Sequence, residues 1–118
     1  MFIEQRNKLI RILEDAGCDE VLTNRSKVPG VLPAGIVSIK ERIGKHAVGN
    51  RFASYEYTFE LVIIIEDSEN SEAQIIEAIE RTENYFSQVF YKGFSRAVVD
   101  DAMMDAMPVK FARIEVTV

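Results

Sequence analysis

The sequence predicts an α+β fold in which two helices cover an antiparallel or mixed β-sheet. Residues 2–16 and 71–90 carry apolar side chains at helical spacing, whereas the stretch from Ala53 to Asp67 alternates with a period of two. The elements follow in the order α-β-β-β-α-β-β, and we expect both helices to pack on one face of the sheet. A chain of 118 residues suits one domain, 1–118, with one core.

Both predicted helices have recognisable ends. The first, at 2–16, is amphipathic and is followed by Gly17, a residue that readily adopts the left-handed conformation of a helix stop. The second is predicted to begin with a capping box, in which Ser71 and Gln74 satisfy the first free amides. Gly93 is expected to end it.

Between the helices, the pattern predicts one long β-hairpin that spans residues 36–66. A short strand at 20–24 and a loop at 26–35, rich in proline and glycine, precede it. The first hairpin strand is predicted at 36–43, and the glycine-bounded segment 44–50 is predicted to be a turn or a mobile loop.

The C-terminal part is predicted to hold two more strands. They lie at 94–99 and 109–118, with a linker or partial turn at 100–108. In the last strand Val109 and Phe111 are odd-numbered, whereas the apolar residues that follow are even-numbered. This change of parity predicts either a bulge or burial on both faces.

The second hairpin strand is longer than a small core requires. At roughly 3.3 Å per residue, some fourteen residues would span about 46 Å. Tyr55 and Tyr57 lie toward the tip of the hairpin. We therefore expect these two rings to form an apolar surface unless a partner covers them.

Charge is distributed unevenly along the chain. Residues 1–59 contain nine basic and seven acidic residues, whereas residues 60–118 contain five and twelve, and the whole chain has a formal charge of −5. This acidity argues against duplex DNA as the main ligand, because phosphate binding requires a basic surface. The longest apolar run is far too short for a membrane span, the N-terminus lacks the pattern of a signal peptide, and a single cysteine fits a reducing compartment.

The predicted hairpin is basic, and the start of the second helix is acidic. Four basic residues lie on the hairpin: Lys40, Arg42, Lys45 and Arg51. The acidic segment includes Glu69 and Glu72. Unlike surfaces on one chain favour head-to-tail contact between copies, which closes into a ring when the rotation allows it. With Tyr55 and Tyr57, these residues form the predicted interface, although a solvated helix face and a flexible loop would have the same charges.

No pattern in the sequence indicates catalysis or a metal site. His46 is the only histidine and Cys18 the only cysteine, so neither has the partners that a triad or a zinc site needs. Asp100, Asp101 and Asp105 lack the glycine-centred spacing of a calcium loop. No glycine-rich phosphate loop is present. We therefore expect no enzyme activity, no cofactor and no metal.

Five segments occur in a characteristic order: "IEQRNKLIRILEDAG", "LPAGIVSI", "YEYTFELVIII", "SENSEAQIIEAIERTENYF" and "ARIEVTV". Together they cover most of the chain and resemble the tail terminator (tail completion) proteins of long-tailed bacteriophages. The resemblance implies a structural phage or prophage protein that assembles as a hexameric ring. The ring would cap the completed tail tube and join it to the head connector.

The same resemblance implies the partners and the location. The ring would contact the tail tube protein and the head-completion protein, with DNA passing through it without sequence-specific recognition. It would be assembled in the cytoplasm of the bacterial host and would reside in the tail of the virion. No cofactor and no catalysis are implied.

Two alternatives are open at this point. The chain could be another neck or tail component of a phage. It could also be a small ligand-binding or regulatory domain of the ferredoxin-like kind, which also has helices over an antiparallel sheet. Such domains usually have the order β-α-β-β-α-β, whereas three strands are predicted here before the second helix.

Overall fold

A computed structural model describes residues 2–94 and 96–118. It confirms the α+β fold and the order α-β-β-β-α-β-β. The two helices are α1 (Phe2–Asp15) and α2 (Ser71–Phe90). The five strands are β1 (Glu20–Leu22), β2 (Ala34–Val48), β3 (Arg51–Glu66), β4 (Ala97–Met104) and β5 (Met107–Thr117).

The strands form one mixed sheet in the order β1-β2-β3-β5-β4. The short strand β1 is parallel to β2, and the other pairs are antiparallel. Strand β3 lies in the middle of the sheet. It pairs with β2 along nearly its whole length, but it pairs with β5 only between Thr58 and Glu66.

The main core lies on the odd-numbered face of β3. Phe59, Leu61 and Ile63 are fully buried there, as the alternation of the sequence predicts. Both helices contribute apolar side chains to the same cluster: Leu9, Ile12 and Leu13 from α1, and Ile75, Ala78 and Phe86 from α2. The apolar faces of both helices thus contribute to the main core, with α1 mainly beside β2 and α2 beside β3 and β5.

A smaller apolar cluster lies on the opposite face. Val62 and Ile64 of β3 join Ile36 and Val109 there, and Phe111 packs against them. The even-numbered apolar residues of β5 face the main core instead. Because the β3–β5 register has no shift, burial on both faces explains the change of parity in β5, and a bulge does not.

The predicted capping box of α2 is wrong. Asn70 is the N-cap residue and makes no side-chain cap hydrogen bond. Ser71 lies inside the helix, and its hydroxyl donates to Asp67 Oδ1 at 2.5 Å and to the Ser68 carbonyl at 2.9 Å. The helix also ends before Gly93, with Tyr91 as the C-cap at a φ of 57°.

Two predicted connections are also wrong, because strands run through them. Strand β2 begins at Ala34 and continues to Val48, so the predicted loop 44–50 is reduced to a turn at Gly49 and Asn50. Similarly, most of segment 100–108 belongs to β4 and β5. Their turn consists of Asp105 and Ala106 at φ values of 48° and 65°, the positive values that tight hairpin turns require.

The first prediction concerns the core. Leu61→Ala should lower the free energy of unfolding by about 2–5 kcal/mol, because Leu61 is fully buried and truncation leaves a cavity. Val48→Ala, on the same hairpin but 66% exposed, should change it by less than about 0.5 kcal/mol. Denaturant titration of both variants measures the difference. Equal losses would contradict the placement of the core.

Candidate functional site

The candidate site is the outer part of the β2–β3 hairpin, residues 40–56, which we call the arm. Among the described residues, the arm consists of β2 and β3 alone. Going along β3 toward the tip, Tyr57 is the last residue whose backbone bonds to another part of the chain, at Val118. The molecule measures 56 × 28 × 20 Å. Its radius of gyration is 15.3 Å, whereas about 13.5 Å is typical of a compact domain of this length. The arm therefore projects from the body.

The arm carries exposed apolar side chains. Val48 is 66% exposed, Phe52 50% and Tyr55 39%. The ring of Phe52 covers Gly44, where a Cβ would lie only 2.5 Å from the ring atoms. The rings of Phe52 and Tyr55 also meet edge to face, with their centroids 6.3 Å apart. Gly44 thus provides a seat for an aromatic ring and does not form the predicted turn.

Two of the predicted basic residues are held by contacts within the arm. The guanidinium of Arg42 lies 3.6 Å from the ring centroid of Tyr55, close enough for a cation–π interaction. Lys45 Nζ lies 3.6 Å from Glu56 Oε2. Both charges nevertheless remain at the surface.

The other two basic residues lie at opposite ends of the arm. At its base, Lys40 Nζ donates a hydrogen bond of 2.7 Å to Glu115 Oε2. This bond and the charge of Glu115 raise the pKa of Lys40, and the pair neutralises its charge. Arg51 lies beside the turn, opposite Val48 in the β2–β3 ladder. Of the four basic residues, Arg51 therefore places its positive charge nearest the tip.

The two predicted tyrosines have different surroundings. Tyr57 is partly buried, and the centroid of its ring lies 5.7 Å from that of Phe2 in α1. The expectation that Tyr57 forms an apolar surface unless a partner covers it is therefore wrong, because α1 of the same chain covers it. Tyr55 is exposed, and its described ring contacts are with Phe52 and Arg42 of the arm itself. The exposed aromatic surface of the arm consists of Tyr55 and Phe52.

The predicted acidic residues lie at the far end of the molecule. Glu69 and Glu72 are exposed where α2 begins, just after β3 ends at Glu66. From Arg51 to Ile65 the chain advances fourteen residues (65 − 51) along one strand, or roughly 46 Å. The structure therefore does not bring the basic and acidic groups together within one copy.

The other candidate residues lie in separate parts of the structure. Burial and the carboxylate of Asp19 raise the pKa of the Cys18 thiol to about 11, so it remains protonated near neutral pH. His46 is exposed on β2, and Asp100 and Asp101 lie on the edge strand β4. Across residues 2–94 and 96–118, no group of three or more His, Cys, Asp or Glu side chains is placed to hold a metal ion.

Comparison of the sequence with family models and with curated proteins gives no match. Neither described helix is long and apolar enough to cross a membrane. Function is therefore inferred from the arm and from the acidic end of the molecule.

Sequence reasoning missed Val48, Phe52 and Gly44, because they border or lie within the segment predicted as a turn. A glycine opposite an aromatic residue in a hairpin was the available signal, since such a glycine leaves room for a neighbouring ring. Gly44 is paired with Tyr55 in this way.

The second prediction concerns this glycine. Gly44→Val should displace the Phe52 ring and loosen the arm, although valine has a higher strand propensity than glycine. The free energy of global unfolding should change little, because the arm lies outside the core. Amide exchange on residues 45–54 measures the effect, with Gly30→Val as the control, since Gly30 has open space around its Cβ position. If the arm amides of Gly44→Val exchange more slowly than those of the wild type, the strand propensity of valine outweighs its clash with Phe52. That result would contradict the prediction.

Proposed function

We propose that the protein is a structural component of a long-tailed phage or prophage, which forms a ring on the completed tail tube and joins it to the head connector. The observation that carries this proposal is the arm, which exposes Val48, Phe52 and Tyr55. Its tip, at Arg51, lies roughly 46 Å along β3 from the acidic end of the same chain.

Exposed rings at the tip of an arm favour a covered state. A two-stranded ribbon without a core beneath it is only marginally stable in water. Aromatic side chains are enriched where proteins meet, because they bury a large apolar area with few rotatable bonds. Assembly would therefore both cover the arm and order it.

Two unlike surfaces on one chain favour contacts between different patches of successive copies. Such contacts generate a closed ring when the rotation closes and a filament when it does not. The tail-terminator resemblance supports the closed form, and it gives the tail tube protein and the head-completion protein as the partners on either side. The proposed location is the tail of the virion, after assembly in the cytoplasm of the bacterial host.

Another neck or tail component remains the nearest alternative, because an arm and an acidic end suit assembly in such a protein equally well. The ferredoxin-like alternative is less favoured. Its usual order begins with a strand followed by a helix, whereas here α1 comes first and three strands precede α2. The proposed role is structural and requires no cofactor.

The third prediction tests assembly separately from folding. Phe52→Ser should leave the melting temperature of the monomer nearly unchanged, because Phe52 is half exposed and outside the core. It should weaken self-association and the capping of tail tubes, since it removes the aromatic ring of the arm with the larger exposed fraction. Val28→Ser, at another exposed apolar position, is the control. Native mass spectrometry and electron microscopy of tails give the two readouts.

Salt provides a second readout for the wild-type protein. Contacts between basic and acidic surfaces weaken as ionic strength rises, because charges are screened over about 8–10 Å at physiological salt. A protein that stays monomeric at high concentration and does not bind tail tubes would overturn the proposed function.

A further inference from the structure

A groove lies between the first turns of α2 and the edge strand β4, at the acidic end of the molecule. Its volume is about 440 Å³. The exposed apolar residues Ile76 and Val99 line it, together with the carboxylates of Glu72 and Asp101. The arm exposes apolar and basic side chains, so the apolar and acidic side chains of the groove are complementary to it.

The charge of the groove is negative. Lys110 is its single lining base, and its Nζ donates a hydrogen bond of 2.6 Å to Asp101 Oδ1. This bond raises the pKa of Lys110, and the carboxylates of Asp67 and Glu72 add to the effect. With Asp101 neutralised in this way, the carboxylate of Glu72 remains to attract a cation.

The apolar residues of the groove are as incompletely covered as those of the arm. Ile76 is 48% exposed and Val99 38%, close to the values for Phe52 and Tyr55. The neighbouring Ile75 is buried and belongs to the core, so it gives the groove a rigid floor. A partner that supplies both apolar and basic side chains would cover this surface.

Strand addition at β4 is the less suitable mode of contact. The backbone amide of Asp101 already donates to Asp100 Oδ1 at 2.8 Å. Charged side chains on an edge strand also discourage the pairing of a further strand. The groove is therefore better suited to receiving side chains than to receiving a whole strand.

We propose that this groove receives the tip of the arm of a second copy. Val48 and Phe52 of one copy would cover Ile76 and Val99 of the next. Arg51 would lie beside Glu72. The same copy cannot supply the tip, because Lys110, which lines the groove, pairs in the sheet with Ile65, roughly 46 Å along β3 from Arg51. The inference rests on the proposed function, because ring assembly provides the second copy.

Cysteine cross-linking between two differently tagged variants tests the contact. Both variants carry Cys18→Ala, and one has Val48→Cys while the other has Ile76→Cys. Mild oxidation should give a mixed disulfide dimer. The matched control replaces Ile76→Cys by Val89→Cys, which is 41% exposed and lies near the other end of the same helix. We expect several-fold more mixed dimer with Ile76→Cys than with Val89→Cys.

Charge exchange provides an independent test that needs no cysteine. Arg51→Glu and Glu72→Lys should each weaken self-association, and a one-to-one mixture of the two variants should restore the contact between the reversed arm and the reversed groove. Lys27→Glu and Glu14→Lys, both exposed and outside the arm and the groove, are the controls.

The outcomes separate this inference from the proposed function. Self-association without the Val48–Ile76 cross-link, or without recovery in the mixture, would overturn the groove as the receiving site and leave the ring intact. A chain that stays monomeric in every assay would remove both the ring and the contact.

Discussion

Strand β3 determines the shape of the molecule through the partners it has along its length. From Thr58 to Ile64 it lies between β2 and β5, and its odd-numbered side chains pack in one cluster with apolar side chains of both helices. Between Arg51 and Glu56 the described part of the chain gives it only β2 as a neighbour. The inner half of the strand is therefore buried on both faces and holds the core together, whereas the outer half forms the arm. One continuous strand thus couples the core to a surface that extends beyond it.

The arm is stabilised by local contacts that replace a core. The Phe52 ring lies on Gly44, its edge meets Tyr55, and Arg42 stacks on Tyr55. These contacts hold a twisted ribbon together, but they leave its apolar side chains half exposed. Regions with few buried apolar contacts open at low free energy, and binding can order them. The same features that make the arm weak as an isolated hairpin make it suitable as an assembly element.

The extent to which the sequence predicted this structure depends on how local each signal is. The alternation of β3 and the helical spacing of α1 and α2 were sufficient to predict these three elements, because the pattern of buried residues repeats along each of them. Gly44 was interpreted as part of a turn, since a glycine that seats a ring has the same local signature as a glycine that bends the chain. The acidic residues Asp100 and Asp101 were interpreted as a linker, although an edge strand tolerates charge.

The candidate interface could be predicted only in part. The basic character of the arm and the acidic start of α2 are visible in the sequence. However, Lys40 is neutralised by Glu115, which lies 75 residues away, and Tyr57 is covered by Phe2. Contacts so distant along the chain leave no trace in a local pattern.

Amide hydrogen exchange on the monomer and on the assembled protein tests the central claim, that the arm lies outside the cooperative core and is ordered by a partner. In the monomer, the hydrogen-bonded amides of residues 41–56 should exchange much faster than those of residues 59–65, and on assembly they should become protected. Equal protection of the two segments in the monomer, or an arm that exchanges equally fast before and after assembly, would contradict the account.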